Sequence, residues 1–191
     1  DGKSVESLGV ILDIDTRGTK IKLRIVEKNK LEGAKLSITL LQGLPKGEQL
    51  DWIIQKCTEI GIRKLIPIIT QRTVVNIATS KLEHRKKRWT KIAKEAAKQS
   101  MRIDIPEVGE LSTFDASLRE IRNHQLSIIP WEQEKAISLK KIIRDFSGSI
   151  TKVAVFIGPE GGFSADEVEK AKELGAVPVS LGPRILRTET A

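Results

Sequence analysis

Among its 191 residues the chain has one cysteine, one methionine, two histidines, no tyrosine and only 4% aromatic residues. A lone Cys57 forms no internal disulfide, which suits a reducing compartment such as the cytoplasm. His84, His124 and Cys57 lie far apart in sequence without the spacing of a ligand set, so no metal is expected. No apolar run approaches the ~18 residues that a membrane span requires. The opening segment DGKSVESLGV holds no basic stretch followed by an apolar one, and so does not read as a signal peptide. Charge, by contrast, is plentiful. Lys and Arg number 33 against 25 Asp and Glu, a net +8, which favours an anionic partner with nucleic acid foremost. The excess is clustered. Lys81, Arg85, Lys86, Lys87, Arg88, Lys91, Lys94, Lys98 and Arg102 face only Glu83 and Glu95 in the same stretch. The alternative, a solvated helix face with scattered charge pairs, accounts less well for so lopsided a segment.

Apolar periodicity divides the chain in two. Residues 8–14 and 20–27 read as strands joined by a turn at Asp15–Gly18, with Ile21, Leu23 and Ile25 on one side of the second strand. Two strands are barely stable alone, so the hairpin is expected to be the end of a β-domain whose start lies outside the sequence. Residues 29–35 read as a linker, which places domains at 1–34 and 35–191. Beyond it, strands are expected at 36–41, 64–69, 125–129, 152–157 and 177–181, and helices at 48–60, 80–100, 113–122, 138–146 and 164–174. Pro67 argues against an inner position for its strand. The run KVAVFI (152–157) is apolar throughout, as in a strand buried on both faces. Ser164 and Glu167 form a capping-box pattern, and Ser112 or Thr113 caps the helix that follows. Trp89 and Cys57 fall on apolar helix faces and read as core. Alternating βα units predict a mostly parallel sheet with helices on both faces.

Two loops carry the chemistry. Ile157-Gly158-Pro159-Glu160-Gly161-Gly162-Phe163 follows a buried strand and precedes a capped helix. Ligands of parallel α/β sheets bind beyond the carboxyl ends of strands. Glycines there let the backbone approach a ligand. The helix start beyond adds free amides and partial positive charge. An ordinary βα turn needs one glycine, not this run, and neither the P-loop nor the dinucleotide spacing is present. Leu181–Ala191 (LGPRILRTETA) again follows a strand and is expected to open a helix at Thr188 or Thr190. If the two strands are neighbours, their loops can enclose one small molecule.

IGPEGGFS and LGPRILRTETA resemble the two cofactor-loop motifs of the SPOUT methyltransferases, and within them the RsmE-type 16S rRNA (uracil-N3)-methyltransferases. The segments at 46–62, 69–75 and 88–108 are similar to the same family. The resemblance runs from about residue 36 to the end, with the hairpin similar to the last part of that family's PUA-like barrel. It implies an α/β fold with a C-terminal trefoil knot after a partial PUA-like β-barrel, the family's final helix lying beyond Ala191. It further implies a homodimer, S-adenosylmethionine as cofactor, and the small ribosomal subunit with its 16S rRNA as partner. Carried over residue by residue, Gly158, Glu160, Gly161 and Gly162 match the first cofactor loop, and Leu181, Gly182, Ile185 and Leu186 the second. Pro130 and Trp131 stand at a third, more variable cofactor loop; Trp131 reads equally as pocket lining or as core.

Uracil N3 holds a proton and is a poor nucleophile until it leaves, so a cation near a ring oxygen and a base are needed. Arg187 is the candidate cation and Glu189 the candidate base; a simple ion pair between them is the competing reading. Arg72, Arg85, Lys86, Arg88 and Arg102 are the candidate RNA contacts. Two rival functions remain open: methylation of another base or of a ribose hydroxyl, and a non-catalytic RNA-binding ribosome-assembly protein.

Overall fold

In the computed structural model, residues 5–15, 17–30, 36–75, 77–146 and 149–191 are described. Most of the expected linker, and with it the domain boundary at 34/35, lies outside the described residues. The first element is an antiparallel hairpin of β1 (Val5–Ile14) and β2 (Ile21–Lys30). Asp15 organises its turn: its carboxylate accepts from the Thr19 amide and hydroxyl at 2.6 Å each and from the Lys20 amide at 3.0 Å. Both strands run past the apolar stretches that mark them in sequence, because the backbone ladder continues into the polar ends. Neither face of the hairpin is covered by the other described residues. Leu8, Val10, Ile11, Leu12, Ile14, Ile21, Leu23, Ile25 and Val26 are all about half exposed.

The rest is one parallel sheet between helices. It comprises β3 (Ser37–Gly43), β4 (Lys64–Ile69), β5 (Glu107–Val108), β6 (Ser112–Thr113), β7 (Leu126–Pro130), β8 (Lys152–Ile157) and β9 (Val177–Val179), in the order β5-β4-β3-β8-β7-β9 with β6 also beside β4. Every pairing is parallel. Side chains alternate between faces, and the core follows. Leu40, Leu65 and Ile157 pack with Leu50, Ile53 and Ile54 of α1 (Gln49–Ile60) and with Trp89 and Ala93 of α2 (Thr79–Gln99). Their neighbours Leu41, Ile66 and Phe156 pack with Phe114 and Ile121 of two single turns, α3 (Phe114–Ser117) and α4 (Arg119–Arg122). A third cluster of Leu126, Ile128, Val153 and Val179 receives Leu139 and Ile142 of α5 (Leu139–Asp145). The helix α6 (Ala165–Glu173) buries Val168 and Ala171 against the Phe156 cluster.

Two local expectations need correcting. The stretch 113–122 is not one helix, because the chain turns at Leu118 between α3 and α4; Thr113 does cap α3, accepting from Ala116 at 3.2 Å. Pro67 sits in an inner strand. Its register partner in β3 is Gln42, while on the other side β5 pairs only as far as Leu65 and β6 resumes at Ile68. Leu65 offers its carbonyl to that side, accepting from Gly109 at 2.8 Å. Residue 67 points the same way by the two-residue period, so its missing N–H falls in the gap between two short strands.

Candidate functional site

The carboxyl ends of β8, β7 and β9 open on one cavity of about 710 Å3. The two glycine loops are not on adjacent strands: β7 lies between β8 and β9, and its own end contributes Pro130 and Trp131. After β9 the chain returns across these strand ends toward β8 and β3. All ten residues matched to cofactor loops line this one hollow, as do Arg187 and Glu189. Where a helix is expected to open at Thr188 or Thr190 the last residues form a turn, with the Thr190 and Ala191 amides donating to the Arg187 carbonyl at 2.9 and 3.0 Å, the second at the four-residue spacing of a helical turn.

Close backbone approach shapes the first loop. A Cβ on Gly43, the last residue of β3, would stand 2.5 Å from the Pro159 ring and backbone nitrogen. Gly162 has φ +68°, where a side chain is strained, and its amide closes a turn onto the Pro159 carbonyl at 2.8 Å. Glu160 accepts from the Lys46 amide at 2.8 Å, tying the loop to the turn after β3. On its outer side Arg72 donates to the Gly161 carbonyl at 2.7 Å. Glu167 completes the capping box and also accepts from the Gln71 amide at 2.8 Å, so one buried carboxylate joins α6 to the turn after β4. The second loop is held by Thr188. Its hydroxyl donates to the Gly158 carbonyl at 2.5 Å and accepts from the Gln42 side-chain amide at 2.9 Å.

Sequence reasoning missed the acidity of the hollow. Glu132, Glu134, Glu160 and Glu189 line it, against Arg184 and Arg187, in a chain whose net charge is positive. The Ile137 and Ala136 amides donate to Glu134 and hold its carboxyl below the usual range. Glu132 is loosely engaged: its one ion-pair contact among the described residues is Arg72, at 4.0 Å. Its signal was available, since it directly follows Pro130-Trp131 beyond a strand end. Thr188, inside a motif already singled out, was likewise passed over. Trp131 packs against the Phe156 core and also lines the cavity, and its buried indole N–H has no partner among the described residues. Arg187 and Glu189 stand 4.0 Å apart, the arginine side chain 86% exposed and the carboxylate 21%.

The cations of α2 separate into kinds. Arg88 is paired to Glu48 at 2.7 Å and to Asp51, Lys86 to Glu110, Lys87 to Glu83 at 3.5 Å and Lys98 to Glu95 at 3.0 Å. Arg102, 13% exposed, donates to the Thr58 carbonyl at 2.7 Å and to Asp104 at 2.8 Å, and so fastens the end of α2 to α1 rather than facing outward. Lys81, Arg85, Lys91 and Lys94 have no ion-pair partner among the described residues. Trp89 is core, and burial pushes the Cys57 thiol up to about 11. Among the described residues no group of three His, Cys, Asp or Glu could hold a metal, and no helix is long and apolar enough to cross a membrane.

Comparison with known proteins agrees with this architecture. Residues 32–191 match the RNA methyltransferase domain family. The chain is 37% identical over 177 residues to ribosomal RNA small subunit methyltransferase E of Bacillus subtilis, covering 90% of this chain and 69% of that one. The Synechocystis protein of the same name is 34% identical, and the match covers 87% of this chain and 53% of that relative. Among solved structures, the Neisseria gonorrhoeae protein of that name bound to S-adenosyl methionine superposes with a TM-score of 0.86 at 28% identity, covering all of this chain and 76% of that one. A Legionella pneumophila protein solved with bound SAM gives 0.84 at 32% identity, with the same coverage. Fold, cavity and match over most of its length together make this chain a member of the RNA methyltransferase domain family.

Proposed function

We propose that this chain methylates small-subunit ribosomal RNA with S-adenosylmethionine as donor, at N3 of a uracil. The observation that carries the reading is the hollow itself, an acidic pocket of about 710 Å3 in a basic protein, at the carboxyl ends of parallel strands. Relatives bearing the methyltransferase name and neighbours solved with the cofactor support it. The residues fit the cofactor: glycine loops allow close approach, and four carboxylates against two guanidinium groups suit a molecule with net positive charge. The walls that would hold it are Gly158–Gly162, Leu181–Leu186 and Pro130–Glu132. When bound, S-adenosylmethionine supplies an electrophilic methyl group on a sulfonium sulfur.

The chain's own part is to present the base and to handle its proton. Arg187, exposed at the mouth, offers its guanidinium to a uracil ring oxygen and so favours the deprotonated ring. Glu189, more sheltered and beside it, takes the N3 proton. N3 lies on the pairing edge, so the base must be unpaired or flipped out, at a cost of a few kcal/mol. A homodimer, residence in the cytoplasm and a knotted path for the chain after β9 belong to the same reading.

The test is transfer of labelled methyl from S-adenosylmethionine to small subunits that lack the modification, with nucleoside mapping of the product. Label in 3-methyluridine is expected; label in another nucleoside or in a ribose overturns the acceptor, and no label overturns the enzyme. Arg187→Ala and Glu189→Gln are each expected to lower kcat about 100-fold or more. Rates near that of the unaltered protein would remove both from the chemistry.

A further inference from the structure

A second cavity, of about 410 Å3, lies on the far side of the turn that follows β3. Leu44, Pro45, Gly47 and Glu48 of that turn line it, while Lys46 in the same turn is bonded to Glu160 and Gln49 lines the first cavity. The five-residue turn 44–48 and the first residue of α1 thus separate the two hollows. The opposite wall is the start of α2: Ser80, Lys81, His84, Arg85 and Arg88. The acids lining the cavity, Glu48 and Asp51 on the turn and α1 side, are both engaged by Arg88. Lys81 and Arg85 have no ion-pair partner among the described residues. At the start of α2 Ala78 offers no side-chain cap and the first turn holds no acid, so the partial positive charge is unopposed at this end.

We infer that this second cavity binds the sugar–phosphate backbone of the RNA next to the target base, with Lys81 and Arg85 as the phosphate contacts. The inference rests on the function proposed above and adds to it where the RNA chain runs. A base drawn into the first cavity leaves its flanking phosphates outside it, and the second cavity, across one short segment of chain, presents unneutralised cations. Two uncommitted cations beside a helix start are what a phosphate requires; paired cations such as Lys86 and Arg88 already have anions. The basic segment therefore does not act as a uniform band. The two cations in the cavity grip RNA, and Lys91 and Lys94, equally unpaired but outside it, do not.

The test compares Lys81→Ala/Arg85→Ala with Lys91→Ala/Lys94→Ala in the full chain, which keeps net charge equal. Binding of a uridine-rich single-stranded RNA is followed by fluorescence anisotropy over a range of salt, and S-adenosylmethionine binding by calorimetry. The cavity variant is expected to raise the RNA Kd about tenfold and to lower the salt slope by about 1.4, some 0.7 for each phosphate no longer neutralised, with cofactor binding unchanged. The KM for small subunits rises in parallel while kcat holds. An unchanged RNA Kd, an equal loss in the Lys91/Lys94 variant, or a matching loss of cofactor affinity each overturns the inference. Failure of the parent reading looks different: the unaltered protein would transfer no methyl, whatever the ratio of RNA affinities.

Discussion

The two cavities either side of the turn after β3 are built on opposite terms. The larger has a surplus of carboxylates and walls of glycine-rich backbone from three strand ends; the smaller has cations from one helix and a side-chain floor. A basic protein that keeps one acidic hollow is sorting its ligands by charge, a cationic small molecule to one side and a polyanion to the other. Each side depends on a different part of the chain, and substitutions can separate them.

The largest expected effect comes from the seam. Gly43→Ala puts a methyl group 2.5 Å from the backbone of Pro159, where no flexible side chain can give way. It is expected to cost about 3 kcal/mol in urea unfolding and to weaken S-adenosylmethionine about tenfold or more. Normal stability and binding would show that the strand end and the loop do not meet as described. Thr188→Val comes next. It removes a hydroxyl that serves both the Gly158 carbonyl and the buried Gln42 amide, and about 2 kcal/mol of stability should go with it. Calorimetry should show weaker cofactor binding with RNA affinity preserved; loss of RNA affinity instead would blur the distinction between the cavities. The smallest effect is that of Glu132→Gln, which keeps shape and removes one negative charge. A rise of about fivefold in the cofactor Kd, shrinking as salt is added, is expected. A rise in RNA affinity alone would assign that carboxylate to keeping RNA out.

The parallel sheet was legible because its strands are marked by runs such as KVAVFI and its helices by stripes such as Leu50, Ile53 and Ile54, patterns that buried packing itself imposes. Pro67 misled because a propensity rule assumes an unbroken neighbour, and the neighbour here is two fragments with a gap. The helix expected at 113–122 became two turns because burial of Phe114, Leu118 and Ile121 marks a covered face and does not report whether the helical ladder is continuous. At the site, glycines and the motifs around them pointed to loops that line one hollow. Of the acids there, Glu132 and Glu134 did not stand out, since neither lies in a glycine motif. Much of the pairing of α2's cations was invisible for a different reason: Glu48, Asp51 and Glu110 reach them from outside the helix. A charge count along one helix cannot register anions supplied across the fold.

The bond between Gln42 and Thr188 joins residues 146 positions apart. Pairings of such sequence separation form late, because the entropy of closing the intervening loop comes before any reward. The strand order compounds this, with β3 beside β8 and the chain doubling back after β9. An intermediate that has assembled the sheet but not yet seated Thr188 therefore holds nearly all of the core and lacks one wall of the cofactor hollow. Affinity for the cofactor should arise as the last event of folding, and ligand added during refolding should trap that final step without hastening those before it.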